Sequence, residues 1–294
     1  MKSIIQVDQV TKEFKGKPAV DDLSLTINEG SVVALLGPNG AGKTTAVSMM
    51  LGLLQPTKGK IRILEGHPQD KAVRNRMGAM LQEVNVIDGL TVLETIDLFR
   101  HYYSNPLPLH HLLHISGLEP EKNKRASALS GGQKRRLGFA LALAGDPELL
   151  FLDEPTVGMD ITARQQFWET VRTMAAKGRT IILTTHYLEE ADSIADRIVV
   201  INKGRLIADG TSAEIKASTN RKTILFTAGA NLTEDQLSSL PSVGEIVWSG
   251  RKVKITSPDT DEVIFAMIQR QLDIKDIEIH AGGLEDAFQF LVQQ

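Results

Sequence analysis

Ser31-Val32-Val33-Ala34-Leu35-Leu36-Gly37-Pro38-Asn39-Gly40-Ala41-Gly42-Lys43-Thr44-Thr45 is the stretch whose reading decides the fold. Residues 31–36 form a near-continuous apolar run, as expected of a strand buried on both faces. The run passes into a glycine-rich turn, and a helix of small and apolar residues is expected to begin near Lys43. The spacing from Gly37 to Thr44 is that of the phosphate-binding pattern G-x-x-x-x-G-K-[ST]. Each position has a physical reason. Glycines let successive backbone N–H groups turn inward and approach an anion closely. The helix start adds unpaired N–H donors and the positive end of its dipole. The Lys43 ammonium supplies a point charge for the β and γ phosphates of a nucleotide, and the Thr44 hydroxyl suits Mg²⁺. The plain alternative is a turn without a ligand. Such a turn has no reason to follow a buried strand and open a helix.

A magnesium-bound nucleotide needs a carboxylate at the end of another buried strand. Leu149-Leu150-Phe151-Leu152-Asp153-Glu154 offers two. Asp153 is placed to hold Mg²⁺, directly or through water. Glu154 is placed to orient or deprotonate an attacking water. An acidic turn or helix cap is the competing reading, and the phosphate loop outweighs it. A third buried strand covers residues 180–184. Buried strands separated by helical segments make an α/β sheet covered on both sides.

Outward from this core the patterning changes. Residues 3–27 alternate, with Ile5, Val7 and Val10 and then Leu23, Leu25 and Ile27 apolar, which predicts antiparallel strands with one buried face. From residue 83 to about 144 the pattern is helical. There Val92, Leu93, Ile96, Leu98 and Phe99 fall largely on one face, and Ser104-Asn105-Pro106 interrupts it. This predicts a helical insert in the α/β core. After about residue 218 the texture changes again. Strands are expected at 222–228, 245–248, 251–256 and 274–279, with helices at 233–240 and 258–272. The hairpin should turn at Ser249-Gly250. The order β-α-β-β-α-β is that of a ferredoxin-like fold. A last helix is expected over 283–292. The domain boundary is expected at 218/219, with Ala217-Ser218-Thr219-Asn220 as the linker.

Composition bounds the rest. The chain has 294 residues, enough for one large domain and a small one. A formal net charge of −3 gives no general attraction to nucleic acid, and none is expected as a partner. Without cysteine there are no disulfides and no thiol chemistry. Met1-Lys2-Ser3-Ile4-Ile5-Gln6-Val7-Asp8 lacks the apolar core of a signal peptide. No apolar run approaches the roughly 18–20 residues that cross a bilayer, so any membrane span must belong to another chain. His101, His110, His111 and His114 cluster in the helical insert without an acidic or thiol partner nearby in sequence, and are read as a solvated helix face rather than a zinc site. Lys134-Arg135-Arg136, three charges on one turn, is weak as a nucleic-acid signal.

Leu129-Ser130-Gly131-Gly132-Gln133 makes a second anion cradle: a hydroxyl, two glycines and a fresh helix start. Here the chain resembles the ATP-binding cassette (ABC) family, whose signature is this LSGGQ segment. The family's other motifs follow in order. Gln82 matches the glutamine loop. Val157-Gly158-Met159-Asp160 matches the D-loop, with methionine where leucine is more usual. His186 matches the switch histidine, and Phe14 stands where an aromatic side chain stacks on adenine. Together these motifs span residue 1 to about 218.

The resemblance implies a P-loop NTPase fold, an ABC nucleotide-binding domain with an antiparallel β subdomain and a helical subdomain. A small α+β domain of ferredoxin-like order follows it. The resemblance also implies roles. The loop Gly37, Pro38, Asn39, Gly40, Ala41, Gly42, Lys43, Thr44 and Thr45 binds ATP. Thr44, Gln82 and Asp153 attend Mg²⁺. Lys43, Glu154 and His186 serve hydrolysis. Ser130, Gly131, Gly132 and Gln133 reach the γ-phosphate held by a second copy, and Asp160 lies between the two. The chain carries one phosphate loop and one signature, so a head-to-tail homodimer with two ATPs between its halves is implied. The expected place is the cytoplasmic face of a membrane, on a separate transmembrane permease, with the chain itself soluble.

Leu284-Glu285-Asp286-Ala287-Phe288 is similar to the segment closing many bacterial ABC ATPases of the drug-, antibiotic- or lipid-exporter type. The apolar residues Ile264, Phe265, Met267 and Ile268 suggest that the C-terminal domain extends the dimer contact. A passive appendage is the alternative. An importer ATPase and a soluble, non-transport ABC ATPase remain the alternative functions. Translation types usually carry two cassettes and repair types a long coiled coil, neither of which is present. A non-catalytic ATP-binding switch would have no need of both Glu154 and His186.

Overall fold

The computed structural model describes residues 2–82, 87–218 and 222–293. The start of the expected helical insert, residues 83–86, and Thr219-Asn220 of the expected linker lie outside them.

The chain opens with a hairpin of β1 (Ser3–Phe14) and β2 (Lys17–Asn28), turned at Lys15-Gly16, both with positive φ. That conformation matches the right-handed twist of the strands it joins. Val7 lies opposite Leu25 and Val10 opposite Leu23, so the alternating apolar set shares one buried face. β3 (Val32–Leu36) is buried at all five residues. It leads through the glycine loop to α1 (Lys43–Met50). β4 (Lys58–Ile63) then pairs antiparallel with β1, completing a three-stranded sheet of order β2-β1-β4. β4 was not expected. Only Ile61 and Ile63 in it are buried, too short an alternation to stand out in the sequence.

After α2 (Lys71–Arg74) and β5 (Met77–Met80) come the helices α3 (Val92–Arg100), α4 (Leu109–Ile115) and α5 (Gly131–Leu143). α3 starts on a capping box. The Thr91 hydroxyl accepts from Glu94 N–H, and Glu94 accepts from Thr91 N–H. There follow β6 (Leu149–Asp153), α6 (Ile161–Ala176), β7 (Thr180–Thr184), α7 (Leu188–Ile194), β8 (Arg197–Asn202) and β9 (Arg205–Gly210). β8 and β9, also not expected, are joined by the two-residue turn Lys203-Gly204, again at positive φ. The six-stranded sheet has the order β5-β6-β7-β3-β8-β9, and β5, β6, β7, β3 and β8 run parallel.

Parallel strands place all their carboxyl ends on one edge, where ligands of such sheets bind. The ends of β3, β5, β6 and β7 are therefore neighbours. On the far side, Phe139 of α5 meets Phe167 of α6 edge to face at 4.7 Å, and Phe167 meets Trp168 at 5.1 Å. Such pairs add about 0.5–1.5 kcal/mol beyond burial and fix α5 against α6.

The chain divides into two compact units, Met1–Asp209 and Gly210–Gln294. The division falls before the expected 218/219 boundary, because α8 (Ser212–Ser218) packs on α11, the last helix (Leu284–Gln293). The second unit continues with β10 (Lys222–Ala228), α9 (Glu234–Ser238), β11 (Ile246–Ser249), β12 (Lys252–Ser257), α10 (Thr260–Gln269) and β13 (Ile274–Ala281). The β11–β12 turn sits at Gly250-Arg251, one residue beyond the expected place. Its sheet is wholly antiparallel with order β11-β12-β10-β13, so β10 and β11 are split by β12, the arrangement of a β-α-β-β-α-β unit. Its core joins Ile224, Phe226, Val253 and Ile255 of the sheet to Leu237, Val263 and Met267 of the helices. Of the apolar residues of α10, Met267 is buried, whereas Phe265 and Ile268 are exposed. Asp286 accepts from Gly283 N–H at 3.0 Å and pairs with Lys254 at 2.8 Å, while Leu284 and Ala287 are buried. The Leu284-Glu285-Asp286-Ala287-Phe288 segment thus ties α11 to β12.

Candidate functional site

The glycine loop is shaped by what surrounds it. Gly42, the N-cap of α1, has φ 104°, and a Cβ there would lie 2.4 Å from the Ala19 carbonyl of β2. A Cβ on Gly37 would lie 2.2 Å from the Ile201 carbonyl of β8. Neither position admits a side chain. Gly40 also has positive φ, and Ala41 is buried. Lys43, 9% exposed, donates from Nζ to the carbonyls of Gly37 at 2.6 Å and Pro38 at 3.1 Å. Burial holds its ammonium below the ordinary lysine range, opposed by the charges of Glu154 and Asp153. Thr44 is exposed and Thr45 half-buried in the first turn of α1. Phe14, at the tip of the hairpin whose second strand borders Gly42, is 48% exposed, and Lys12 Nζ lies 5.4 Å from its ring centroid.

The ends of β5, β6 and β7 bring the other polar groups together. Asp153, the last residue of β6, is buried and accepts a hydrogen bond on Oδ1 from the Thr184 hydroxyl at the end of β7. Glu154 has φ 49°, a left-handed conformation uncommon outside glycine. Its N–H is held at 3.1 Å from both the Thr184 carbonyl and the Thr184 hydroxyl. Its carboxylate is met from two sides. His186 Nε2 stands 2.5 Å from Oε1, and Gln82 Nε2 donates to Oε2 at 3.3 Å. His186 is half-exposed and Glu154 nearly enclosed. Lys43, Asp153, Glu154, Gln82 and His186, far apart in the chain, thus meet at one sheet edge. Thr184 was missed in the sequence. Its signal is a polar residue ending an otherwise apolar strand.

The signature segment stands elsewhere. Ser130 caps α5 in a capping box with Gln133: the Ser130 hydroxyl accepts from Gln133 N–H at 3.3 Å, and Gln133 Oε1 accepts from Ser130 N–H at 3.0 Å. Gln133 Nε2 donates to Glu121 at 3.1 Å, so both ends of its amide are engaged within this chain. Ser130 and Gly131 are exposed, and no atom crowds the Gly131 Cβ position. A Cβ on Gly132 would come within 2.9 Å of the Gly158 carbonyl, so the start of α5 borders the Asp160 loop. Asp160 caps α6 by accepting from Ala163 N–H at 2.8 Å, and Met159 is buried. Arg135 of α5 donates to the Leu81 carbonyl at 3.2 Å, next to Gln82. Among the described residues, no hydrogen bond or ion pair joins residues 130–133 to the loop 37–44.

The residues present suit a magnesium nucleotide. Gly37 and Gly42 let the loop pass close against β8 and β2, Gly40 leaves open space beside it, and the helix start and Lys43 supply positive charge for a phosphate. The Thr44 hydroxyl, the Gln82 amide and the Asp153 carboxylate are the hard oxygen donors Mg²⁺ takes. Fold and site together define a nucleotide-hydrolysing α/β domain with a phosphate loop and a second, outward-facing glycine cradle. The profile of the ABC transporter family matches residues 20–157. The Nod factor export ATP-binding protein I of Rhizobium johnstonii is 36% identical over 97% of this chain and 93% of its own length. The daunorubicin resistance ATP-binding protein DrrA3 of Streptomyces coeruleorubidus is 36% identical over 97% of this chain and 94% of its own. Among solved structures, an ATP-binding subunit of an ABC transporter superposes with a TM-score of 0.68 at 28% identity, covering 74% of this chain and 93% of that one. A dimeric ATP-binding cassette in a post-hydrolysis state with ADP and phosphate superposes with a TM-score of 0.65 at 26% identity, covering 70% and 98%. This chain belongs to the ATP-binding subunits of the ABC transporter family. It is an ATPase of the cassette type.

Proposed function

We propose that the chain powers export of a drug-, antibiotic- or lipid-like substrate through a separate transmembrane permease. On this reading it works as a head-to-tail homodimer at the cytoplasmic face of the membrane. The relatives named for Nod factor export and for daunorubicin resistance match it over nearly their whole length, the C-terminal unit included. Among the described residues no helix is long and apolar enough to cross a membrane, in keeping with a permease on another chain. Residues 1–209 are assigned as the cassette and 210–294 as an accessory unit that includes α8.

The observation that carries the hydrolytic reading is the enclosure of the Glu154 carboxylate between His186 and Gln82. Glu154 takes a proton from the water that attacks the γ-phosphorus. As the bond from the γ-phosphorus to the bridging oxygen breaks and ADP leaves, His186 holds the γ-phosphoryl oxygens by hydrogen bonding and Lys43 compensates their charge. Thr44, Gln82 and Asp153 would hold Mg²⁺, which when bound neutralises charge on the β and γ phosphate oxygens. Phe14 stacks on the adenine. Ser130, Gly131, Gly132 and Gln133 close over the γ-phosphate bound by the partner copy, with Asp160 at the seam. ATP therefore favours the closed pair, and hydrolysis releases it.

Glu154→Gln tests the assignment of the base. ATP affinity by calorimetry should stay near that of the unaltered chain while hydrolysis falls by about 10²–10⁴-fold, and an ATP-bound dimer should accumulate on gel filtration. Normal turnover in this variant would falsify the role of Glu154.

A further inference from the structure

Behind Glu154 and His186 lies a buried carboxylate to which this chemistry gives no part. Glu190, in the first turn of α7, is 8% exposed. Its oxygens accept from the Thr156 hydroxyl at 2.9 and 3.1 Å and from the Thr185 hydroxyl at 2.9 Å. Arg164 Nε stands 3.5 Å from Oε1, and the guanidinium lies 4.5 Å from the centroid of the Tyr187 ring. The Tyr187 N–H in turn donates to the Thr185 hydroxyl at 3.0 Å.

Taking a carboxylate out of water is costly, and well-packed apolar residues usually serve stability as well or better. The value of Glu190 therefore lies in what it joins. Its two hydroxyl donors and its arginine ion-pair partner come from three segments. Thr156 follows Glu154 by two residues, Thr185 immediately precedes His186, and Arg164 sits in the first turn of α6, its N–H bonded to the Asp160 carbonyl at 3.0 Å. One side chain thus ties together the segments that carry the base, the switch histidine and the Asp160 loop. None of these partners belongs to the loop 37–44, whose lysine bonds to its own carbonyls.

We propose that Glu190 is a positioning residue for hydrolysis. It holds the Thr156 and Thr185 segments in register, so that Glu154 and His186 keep their 2.5 Å approach, and through Arg164 it links that pair to the start of α6. This rests on the roles of Glu154 and His186 proposed above. Because Glu190 acts on the reacting groups and not on the phosphate loop, its loss lowers turnover and spares ATP binding.

The test compares Glu190→Gln, Thr185→Val, Thr185→Ser and Glu154→Gln in the full chain, by steady-state kcat and KM, calorimetric ATP affinity and melting temperature. Glu190→Gln and Thr185→Val should each lower kcat by about 10- to 100-fold, the scale of an ångström-sized misplacement, with KM and ATP affinity within about twofold. Thr185→Ser keeps the hydroxyl and should restore kcat to within about threefold. Combining Glu190→Gln with Thr185→Val should be no worse than the slower single variant, because the two side chains belong to one network. The proposal is overturned if Glu190→Gln turns over normally while Glu154→Gln stalls. It is also overturned if Thr185→Ser is as slow as Thr185→Val, or if kcat falls only together with ATP affinity and melting temperature. Should Glu190→Gln not fold, the valine–serine pair at Thr185 decides alone. Normal hydrolysis by Glu154→Gln would instead defeat the reading of the base, a separate result.

Discussion

At the scale of single residues, the phosphate loop shows two kinds of constraint. Gly42 must be glycine because its φ is positive and the Ala19 carbonyl occupies the space of a side chain. Lys43 must be a cation for the ligand, yet it is buried, and burial depresses its pKa while Glu154 and Asp153 raise it. The two carboxylates offset part of that depression. Lys43→Ala removes the point charge and should weaken ATP binding by about 10- to 100-fold, the 1.5–3 kcal/mol of a charged hydrogen bond. Calorimetry checks this, and unaltered affinity would contradict the phosphate-loop reading. Glu154 illustrates a further constraint. Its left-handed backbone, held by two bonds to Thr184, turns the carboxylate into the cluster instead of along β6. Such outliers gather where function over-determines the backbone.

At the scale of elements, the site depends on the alignment of strand ends. β5 and β6 run parallel, and at their amino ends Arg76 and Glu148 make a two-pronged pair at 2.6 Å, while Glu148 N–H bonds to the Arg76 carbonyl at 3.0 Å. The guanidinium's hydrogen bonds hold the Glu148 carboxyl below the usual carboxylate range. A depressed folded pKa contributes stability that is present above the unfolded value and lost as pH falls through the folded one. The pair is substantially solvent-exposed, so its worth is small. Arg76→Ala should cost about 0.5–1 kcal/mol at neutral pH, and the difference should shrink as pH falls below the ordinary glutamate range and vanish only once the depressed folded-state carboxyl is itself protonated. Urea unfolding of both proteins across this range reads it directly. A cost that persisted at low pH would mean that packing of the arginine stem, not charge, was lost.

At the scale of the whole molecule, the chain carries two cores, and each unit buries its own apolar faces. The Glu154, His186 and Gln82 cluster is gathered at one sheet edge, whereas Ser130 is exposed and engaged with its own helix cap. A shared site in a symmetric dimer makes a sharp prediction. Lys43→Ala and Ser130→Arg should each be nearly inactive alone. Mixed one to one, they form hybrid pairs in which one site has both an intact Lys43 and an intact partner Ser130, and about a quarter of the wild-type rate should return. An ATPase assay on the mixture decides; no recovery on mixing contradicts the shared site.

The residues themselves determined the phosphate loop, the paired carboxylates, the buried strands and the signature, because each carries its chemistry in local spacing: glycines before a lysine, acids after an apolar run, a serine capping a helix. Runs such as β3 and the first four residues of β6 were legible because burial on both faces leaves them without a polar residue. β4 and β9 were not, since only one side of an edge strand need be apolar. The sequence groups Met267 with Phe265 and Ile268, and only the packing of α10 on its sheet buries the first and exposes the other two; α8 reads as part of the cassette, and only its packing on α11 assigns it to the second unit. Nor could spacing show that His186 and Gln82 flank Glu154, that Thr184 turns it, or that Glu190 lies beneath. These meetings join residues far apart in the chain through the parallel order of β5, β6, β7 and β3. Strand order is a property of the packed sheet, and no stretch of sequence contains it.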